Sequence, residues 1–431
     1  MVKILKLSET VFVVLSLLLY SGAIGFFIAD ENPLAPIKIV LAYTGHVIAI
    51  LLIALRWRKV VALAIREQLL WVVVGLVIAS LLWSDVPMFT LEKMLPLVRV
   101  TVFGVYFASC YTMKEQMQLL AWAFGIATVG SFLVCIAVPR YGVVGAGLIV
   151  GQEELMHAGA WRGLYVHKTI LGTMMSLSAL IFFCCAFSNY KYRWLMWAGF
   201  GFSVFMLLRS TTKAALGILL IILIIFVPFY RSLRWNYNSL FRWLTILLII
   251  GACIVLWNWA NYENTIFARF GKDITITGRT ELWPPLLDKI WDRPWLGYGY
   301  ETFWEGGWEG KPAYIWRELK AGFEPPHAHN GPLEVWLDIG LIGLGSLMLS
   351  ILTGFSRSII WLRLNRTPEG LVPITYLTVL ILINLTESSL MRPEILWLFY
   401  VSVTLSLHRK EWQENHLYFL SDLEDMKYLK S

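Results

Sequence analysis

Charge is scarce in these 431 residues. Only 15% are Asp, Glu, Lys or Arg, against roughly 25% in soluble globular chains, while 58% are hydrophobic. With a mean hydropathy of +0.65, that shortage excludes a soluble domain and points to a polytopic membrane protein. Cysteine is scarce as well. Cys110, Cys135, Cys184, Cys185 and Cys253 all lie in or at the ends of apolar runs, which leaves no disulfide framework and no cysteine metal site. A glycine-rich phosphate loop is missing, so nothing indicates a nucleotide substrate. No carboxylate pair forms a metal-binding motif at an expected outer membrane edge. The N-terminus, Met1-Val-Lys3-Ile-Leu-Lys6, runs into apolar sequence without a small-residue cleavage signal, so the first run is expected to stay as an uncleaved span.

What is abundant is apolar sequence long enough to cross roughly 30 Å of hydrocarbon. Such stretches fall near 10–29, 37–55, 69–84, 95–111, 118–138, 169–188, 193–208, 214–230, 242–260, 333–355, 371–387 and 393–408. The expected fold class is therefore an all-α polytopic membrane protein with about twelve transmembrane helices. Residues 1–260 would hold helices 1–9, 261–332 a large extracytoplasmic loop, 333–408 helices 10–12, and 409–431 a cytoplasmic tail.

The basic residues set the orientation, because cytoplasmic loops collect Lys and Arg. Lys3 and Lys6 precede the first span, and alternate loops carry Arg56, Arg58, Lys59 and Arg66, then Lys114, Lys191 and Arg193. Arg231, Arg234, Arg242, Arg357, Arg363 and Arg366 continue the series, and the tail adds Arg409 and Lys410. Both termini are expected on the cytoplasmic side. The net charge of +7 is explained by this asymmetry, so nucleic acid is not an expected partner.

The segment 261–332 then faces outward, with ten acidic and eight basic residues. Seventy residues alone would be marginal as a domain, so the segment is expected to lie down on the bundle. Trp283, Trp291, Trp295, Trp304, Trp308 and Trp316 suit interfacial anchoring more readily than sugar stacking. Leu286, Leu287, Ile290 and Trp291, after Pro284-Pro285, trace the apolar face of a short helix.

Nine residues carry positive charge, or can, on the side where the orientation rule predicts little. They are Lys38, Arg99, Arg162, His167, Lys168, Arg209, Lys213, Arg279 and Arg392. Snorkelling, or pairing with Glu387 or Asp85, explains any one of them. Drawn together they would form a basic cavity suited to a phosphate or pyrophosphate head group on a lipid. The stretch "PPHAHNGPLEVWLDIGLIGL" (325–344) closes the loop beside it. His329 is best placed to act as a base or donor toward a sugar hydroxyl. Surrounding positive charge would favour its neutral ring, and the arginines would stabilise the leaving group. Glu281, Glu301 or Glu334 could share the base role. A metal site at His327 and His329 lacks an evident third ligand, with Glu324 and Glu334 as candidates.

"TGRTELWPPLLDKIWDRPWLGYGYETFW" (277–304), the histidine stretch, "RGLYVHKTILG" (162–172) and "LLRSTTKAALGILL" (207–220) together resemble the O-antigen ligase and polymerase superfamily. The resemblance covers roughly 160–410 and is nearest the exopolysaccharide polymerase branch. It implies an inner-membrane glycosyltransferase of the all-membrane, GT-C-like kind, acting on polyprenyl-pyrophosphate-linked glycans at the periplasmic face. It implies no cofactor, metal or nucleotide sugar. His329 and Arg279 match the motif histidine and arginine, as the catalytic pair. Lys213 matches a position where ligases carry arginine, and is assigned to pyrophosphate. Arg162 and Lys168 match an earlier motif, with Thr169 where asparagine is common. His327 and Asn330 would orient the base or acceptor, and Arg209 and Arg99 would line the basic cavity. The partners implied are the lipid-linked oligosaccharide and membrane lipid, with room for a chain-length regulator or flippase.

Two further readings compete with polymerisation. A ligase would move a finished glycan onto lipid A core or another terminal acceptor with the same chemistry. A transporter for the same lipid would spread polar groups through the membrane and show internal repeats, and no repeat is evident.

Overall fold

The computed structural model describes residues 2–23, 35–147, 157–187, 192–234, 279–319, 324–365 and 367–409. Among the described residues there is no strand, and a single isolated bridge joins Val143 to Trp161. Apart from short turns such as Pro139–Gly142, the helices among the described residues are α1 (Val2–Tyr20), α2 (Ala35–Leu55), α3 (Trp57–Ala64), α4 (Gln68–Ala79), α5 (Pro87–Cys110), α6 (Met113–Ala137), α7 (Lys168–Phe187) and α8 (Arg193–Ser210). After them come α9 (Lys213–Ile221), continued by a π turn into α10 (Val227–Arg234), then α11 (Arg279–Asp292), α12 (Pro312–Glu318), α13 (Gly331–Leu364), α14 (Val372–Asn384) and α15 (Ile395–Ser406). Apolar sequence becomes helix here because hydrocarbon offers no partner to backbone N–H and C=O groups.

Among the described residues, five helices are long and apolar enough to cross a membrane: α5, α6, α7, the run Lys213–Arg231, and α13. A sixth arises if α3 and the Gln68–Leu82 run, which meet at 91°, count as one broken span. Tyr43–Leu55, Pro368–Asn384 and Ile395–Ser406 are apolar but shorter. By length and composition the described residues thus support fewer than the twelve expected spans, and the count of twelve is not confirmed. The stretch 242–260 lies outside the described residues, as do 261–278 and 410–431.

The helix ends follow the chemistry of their sequences. Thr112 caps α6, accepting from the Glu115 amide while Glu115 accepts from the Thr112 amide, so two orphan donors are satisfied at once. At the centre of the bundle α15 is buried along its whole length, and its polar groups pair with neighbouring helices. Trp397 Nε1 donates to Thr101 Oγ1 at 2.8 Å, Tyr400 OH to Ser350 Oγ at 2.7 Å, and Ser402 Oγ to Gln116 Oε1 at 2.8 Å. Such bonds join helices where burial of apolar surface against lipid supplies little drive.

A second apolar core sits in the loop. Leu282, Leu286 and Ile290 of α11 pack with Tyr298, Phe303, Ile315, Leu319, Ala328 and Leu337. The short helix expected after the two prolines therefore exists, but it begins earlier, at Arg279, and carries Pro284 and Pro285 inside. Leu286 and Ile290 face the core as expected, whereas Trp291 is 64% exposed.

Candidate functional site

The loop closes on a break in α13. Ile339 and Gly340 leave helical geometry, Gly340 at φ 69 and ψ −174, a region open essentially to glycine alone. The freed backbone groups are taken up by residues 294–299, which run alongside. Leu341 N donates to Pro294 O at 2.7 Å, Tyr298 N to Leu337 O at 2.9 Å, and Gly299 N to Asp338 O at 3.0 Å. The approach is so close that a Cβ on Gly340 would lie 2.0 Å from Trp295 O. Residues 331–338 thus form a short, separate helical segment, opened by Asn330, whose side chain accepts from the Leu333 amide at 3.0 Å.

Buried Glu334, on that segment, organises the histidine stretch. Its Oε2 accepts from the Ala328 amide at 2.6 Å, and its Oε1 from Trp304 Nε1 at 2.9 Å and from Arg392 at 2.8 Å. Arg392 also meets Glu301 at 2.6 Å and Asp338 at 3.9 Å. Burial works against the guanidinium's charge, but the carboxylates of Glu301, Asp338 and Glu334 outweigh it and raise its pKa further above the usual value. Arg392, one of the expected cavity cations, is therefore spent on carboxylates. Glu334 is saturated with donors and is poorly suited to act as a base, and Glu301 is held by Arg392.

Ala328 separates the two histidines, so Glu334 fixes the backbone between them. His329 is held at φ 50, and its amide donates to His327 Nδ1 at 3.2 Å. The two rings lie 4.1 Å apart between centroids. Ser388 Oγ accepts from the Asn330 amide at 3.1 Å and so carries the loop after α14 up to the same place. That loop brings in Glu387, and one ligand atom each from His327, His329 and Glu387 falls within 4.8 Å of the others. The acidic third member of the group is thus Glu387. Glu324 accepts from Trp308 and Glu334 is engaged as above.

Four of the loop tryptophans stitch this arrangement together. Trp283 Nε1 donates to Ala328 O, Trp304 to Glu334, Trp308 to Glu324 and Trp316 to Pro325 O. Interfacial anchoring fits Trp291 and Trp295, which are exposed, as is Trp308 despite its bond to Glu324. The other four act as hydrogen-bonded struts.

The remaining expected site residues gather on other partners. Lys168 Nζ lies 3.5 Å from Thr211 Oγ1, and Thr212 Oγ1 donates to Lys168 O at 3.2 Å. These contacts bring the start of α7 to Lys213 at the start of α9. Gly172 makes room, since a Cβ there would sit 2.5 Å from the Thr212 Cβ. Arg209 stacks over Trp161 at 4.7 Å, and Trp161 N donates to Arg209 O at 2.9 Å. Arg162 donates through Nε to Tyr141 O at 2.9 Å. Arg162, Lys168, Arg209 and Lys213 are in this way linked to one corner of the molecule. Arg99 lies over Tyr43 at 4.6 Å, near the middle of α5. That places it deeper in its helix than a start near residue 95 had suggested. Arg279 opens α11, its side chain falling outside the description, as does that of Lys38.

Sequence reasoning left Asp338 out of the site, named Glu387 only as a pairing partner for the stray basic residues, and considered Glu334 as a base or a metal ligand. A signal was available for two of them: Glu334 and Asp338 stand one helical turn apart in apolar sequence, where carboxylates are costly without a partner.

The family described as O-antigen ligase matches residues 198–348, a range holding Lys213, the loop core, His327, His329 and the broken helix. The exopolysaccharide production protein ExoQ of Rhizobium meliloti (strain 1021) is 30% identical over 227 residues, 49% of this chain and 49% of that protein. The chain thus spans about half the length of the curated relative it matches. The likeness to the O-antigen ligase and polymerase superfamily stands on these two findings.

Proposed function

We propose that this protein is a glycosyltransferase that polymerises polyprenyl-pyrophosphate-linked oligosaccharide repeat units into exopolysaccharide or O-antigen. The observation that carries the reading is the histidine stretch. It is clamped by Glu334 and Ser388, with His329 in a strained backbone, inside the segment that matches the family. Strain of this kind costs about 1–3 kcal/mol and persists at functional sites, where the surroundings enforce it.

In the proposed reaction an acceptor sugar hydroxyl gives its proton to His329 while its oxygen attacks the anomeric carbon of the donor. The bond from that carbon to pyrophosphate breaks, and polyprenyl pyrophosphate leaves with the electron pair. Arg279 and Lys213, with Lys168, Arg162 and Arg209, neutralise the pyrophosphate. Arg99 lines the approach of the lipid, and His327 and Asn330 orient the base. Asn330 does so through its cap and its amide. No metal or nucleotide sugar takes part.

The whole chain is proposed to form twelve spans in a GT-C-like arrangement, with both termini in the cytoplasm. The site then opens to the periplasm from the bacterial inner membrane, where a chain-length regulator or flippase can meet it.

The description of the matched family favours a second reading, a ligase that moves the lipid-linked glycan to lipid A core or another terminal acceptor. The name of the relative favours the polymer. The test is purified protein with a lipid-linked repeat unit in detergent, products being resolved on a gel. Wild type should build a ladder; His329→Ala should slow it about 10²–10⁴-fold, the usual worth of a positioned acid–base group, and Arg279→Ala about 10²–10³-fold, as for a lost donor to developing negative charge. Transfer only after addition of a lipid A core acceptor would make the protein a ligase. No transfer to either acceptor would sink both.

A further inference from the structure

We propose that His327, His329 and Glu387 form a binding site for a divalent transition metal of the Zn²⁺ type, and that filling the site switches transfer off. The second half rests on the reading of His329 as the base. Among the described residues this is the group of three or more His, Cys, Asp or Glu side chains whose ligand atoms converge, all within 4.8 Å. Two imidazoles and one carboxylate are a donor set that suits Zn²⁺ and leaves a fourth position for water. Hard Mg²⁺ prefers oxygen ligands throughout.

The donors are already held close to place. His327 and His329 share one short loop whose Ala328 amide is tied to Glu334 and whose Asn330 amide is tied to Ser388. Glu387 stands directly before Ser388 in sequence, and its own amide donates to Ile383 O at 2.9 Å.

Binding has a definable cost. Tetrahedral Zn²⁺ with bonds near 2.0–2.1 Å sets its donors about 3.3 Å apart, so donors as much as 4.8 Å apart must close in. A neutral imidazole that ligates through one nitrogen carries a proton on the other. Whichever nitrogen of His327 takes the metal, Nδ1 can no longer accept the His329 amide, and that 3.2 Å bond is released. The lone pair of His329 can hold a metal or receive a proton, not both. An occupied site therefore removes the base, and a chelator restores it.

The experiment uses full-length, tag-free protein in detergent, stripped of metal and titrated with Zn²⁺ or Mg²⁺ in a calorimeter. One Zn²⁺ should bind per chain, with no response to Mg²⁺. His327→Ala and Glu387→Gln, each checked for wild-type thermal unfolding, should weaken Zn²⁺ binding about 100-fold or more, since loss of an outer-shell partner alone costs 10–100-fold. Zinc should also speed hydrogen exchange at the His329 amide. Stoichiometric Zn²⁺ should abolish the ladder, and chelation should bring it back. Absence of stoichiometric binding, binding unchanged in both variants, or full activity with the site filled would each overturn the proposal. Should zinc bind and the variants lose it while wild type builds no ladder in any condition, the metal site stands and the transferase reading falls.

Discussion

Thr211, Glu301, His329 and Met391 all hold left-handed backbone without being glycine. Thr211 lies two residues before Lys213 and His329 is the proposed base, while Glu301 pairs with the buried Arg392, which follows Met391. Tyr300 pins Met391 by donating to its carbonyl at 2.5 Å. At Gly340 the constraint is stricter, because both conformation and contact with Trp295 forbid a side chain. Gly340→Ala should destabilise by more than about 3 kcal/mol, the upper range for backbone strain alone. Gly345→Ala, five residues on in open space, should be neutral; thermal unfolding of the pair in one detergent checks this. The charge on Glu334 is predicted to matter in the same way. Glu334→Gln leaves buried Arg392 short of a carboxylate, and breaking such a pair costs about 3–5 kcal/mol. Arg392→Gln, which leaves Glu301, Glu334 and Asp338 without their cation, should cost at least as much, and thermal unfolding of either variant at the wild-type temperature would refute the ion-pair account.

At the scale of elements, the break in α13 converts one apolar stretch into a membrane helix and a short capped segment that carries the site. The cap is the sensitive part. Asn330→Ala removes the bond to the Leu333 amide and should cost about 0.5–2 kcal/mol, with a further fall in transfer because His329 precedes the cap. Asn330→Asp keeps an accepting oxygen and should retain most of both. Equal activity for Ala and Asp at this position would separate the cap from the chemistry. The sequence showed this element only in part. "HNGPLEV" displays Asn330 before Pro332 and three residues before Leu333, a readable helix start. "DIGLIGLG" gives no sign of which glycine breaks the helix, because that depends on where residues 294–299 cross it.

For the molecule as a whole, Asp85 at the α4–α5 corner holds the loop core to the bundle. Arg293 donates to it at 3.0 Å, and Lys311 lies 2.6 Å away. Burial pushes the Asp85 carboxyl up, but the bonds from Lys311 and Arg293 outweigh it and hold its pKa below the ordinary value. The sign follows from linkage: stability from this contact is fully present above about pH 4, the unfolded value, and fades as pH falls through the depressed native one. Protease nicking of residues 293–311 should therefore stay constant from neutral pH down to about 4 and rise below it. In Asp85→Asn it should be high throughout, and a variant as resistant as wild type would dismiss the tie.

The sequence by itself determined the class and the neighbourhood. Scarce charge and long apolar runs demand membrane helices, since lipid satisfies no backbone group. The motifs around 162–172, 207–220, 277–304 and 325–344 marked the segments on which the site is proposed. Tertiary structure alone decided the pairing. Whether Arg392 faces a phosphate or three carboxylates, whether a tryptophan meets lipid or Glu334, and whether His329 stands beside Glu324 or Glu387 all depend on contacts between residues distant in the chain. Charge and hydropathy are properties of one residue and its near neighbours, so they can be read along a line. Electrostatic compensation is a property of what lies within a few ångströms in space, and only the folded chain brings Glu301, Glu334, Asp338 and Arg392 to that distance.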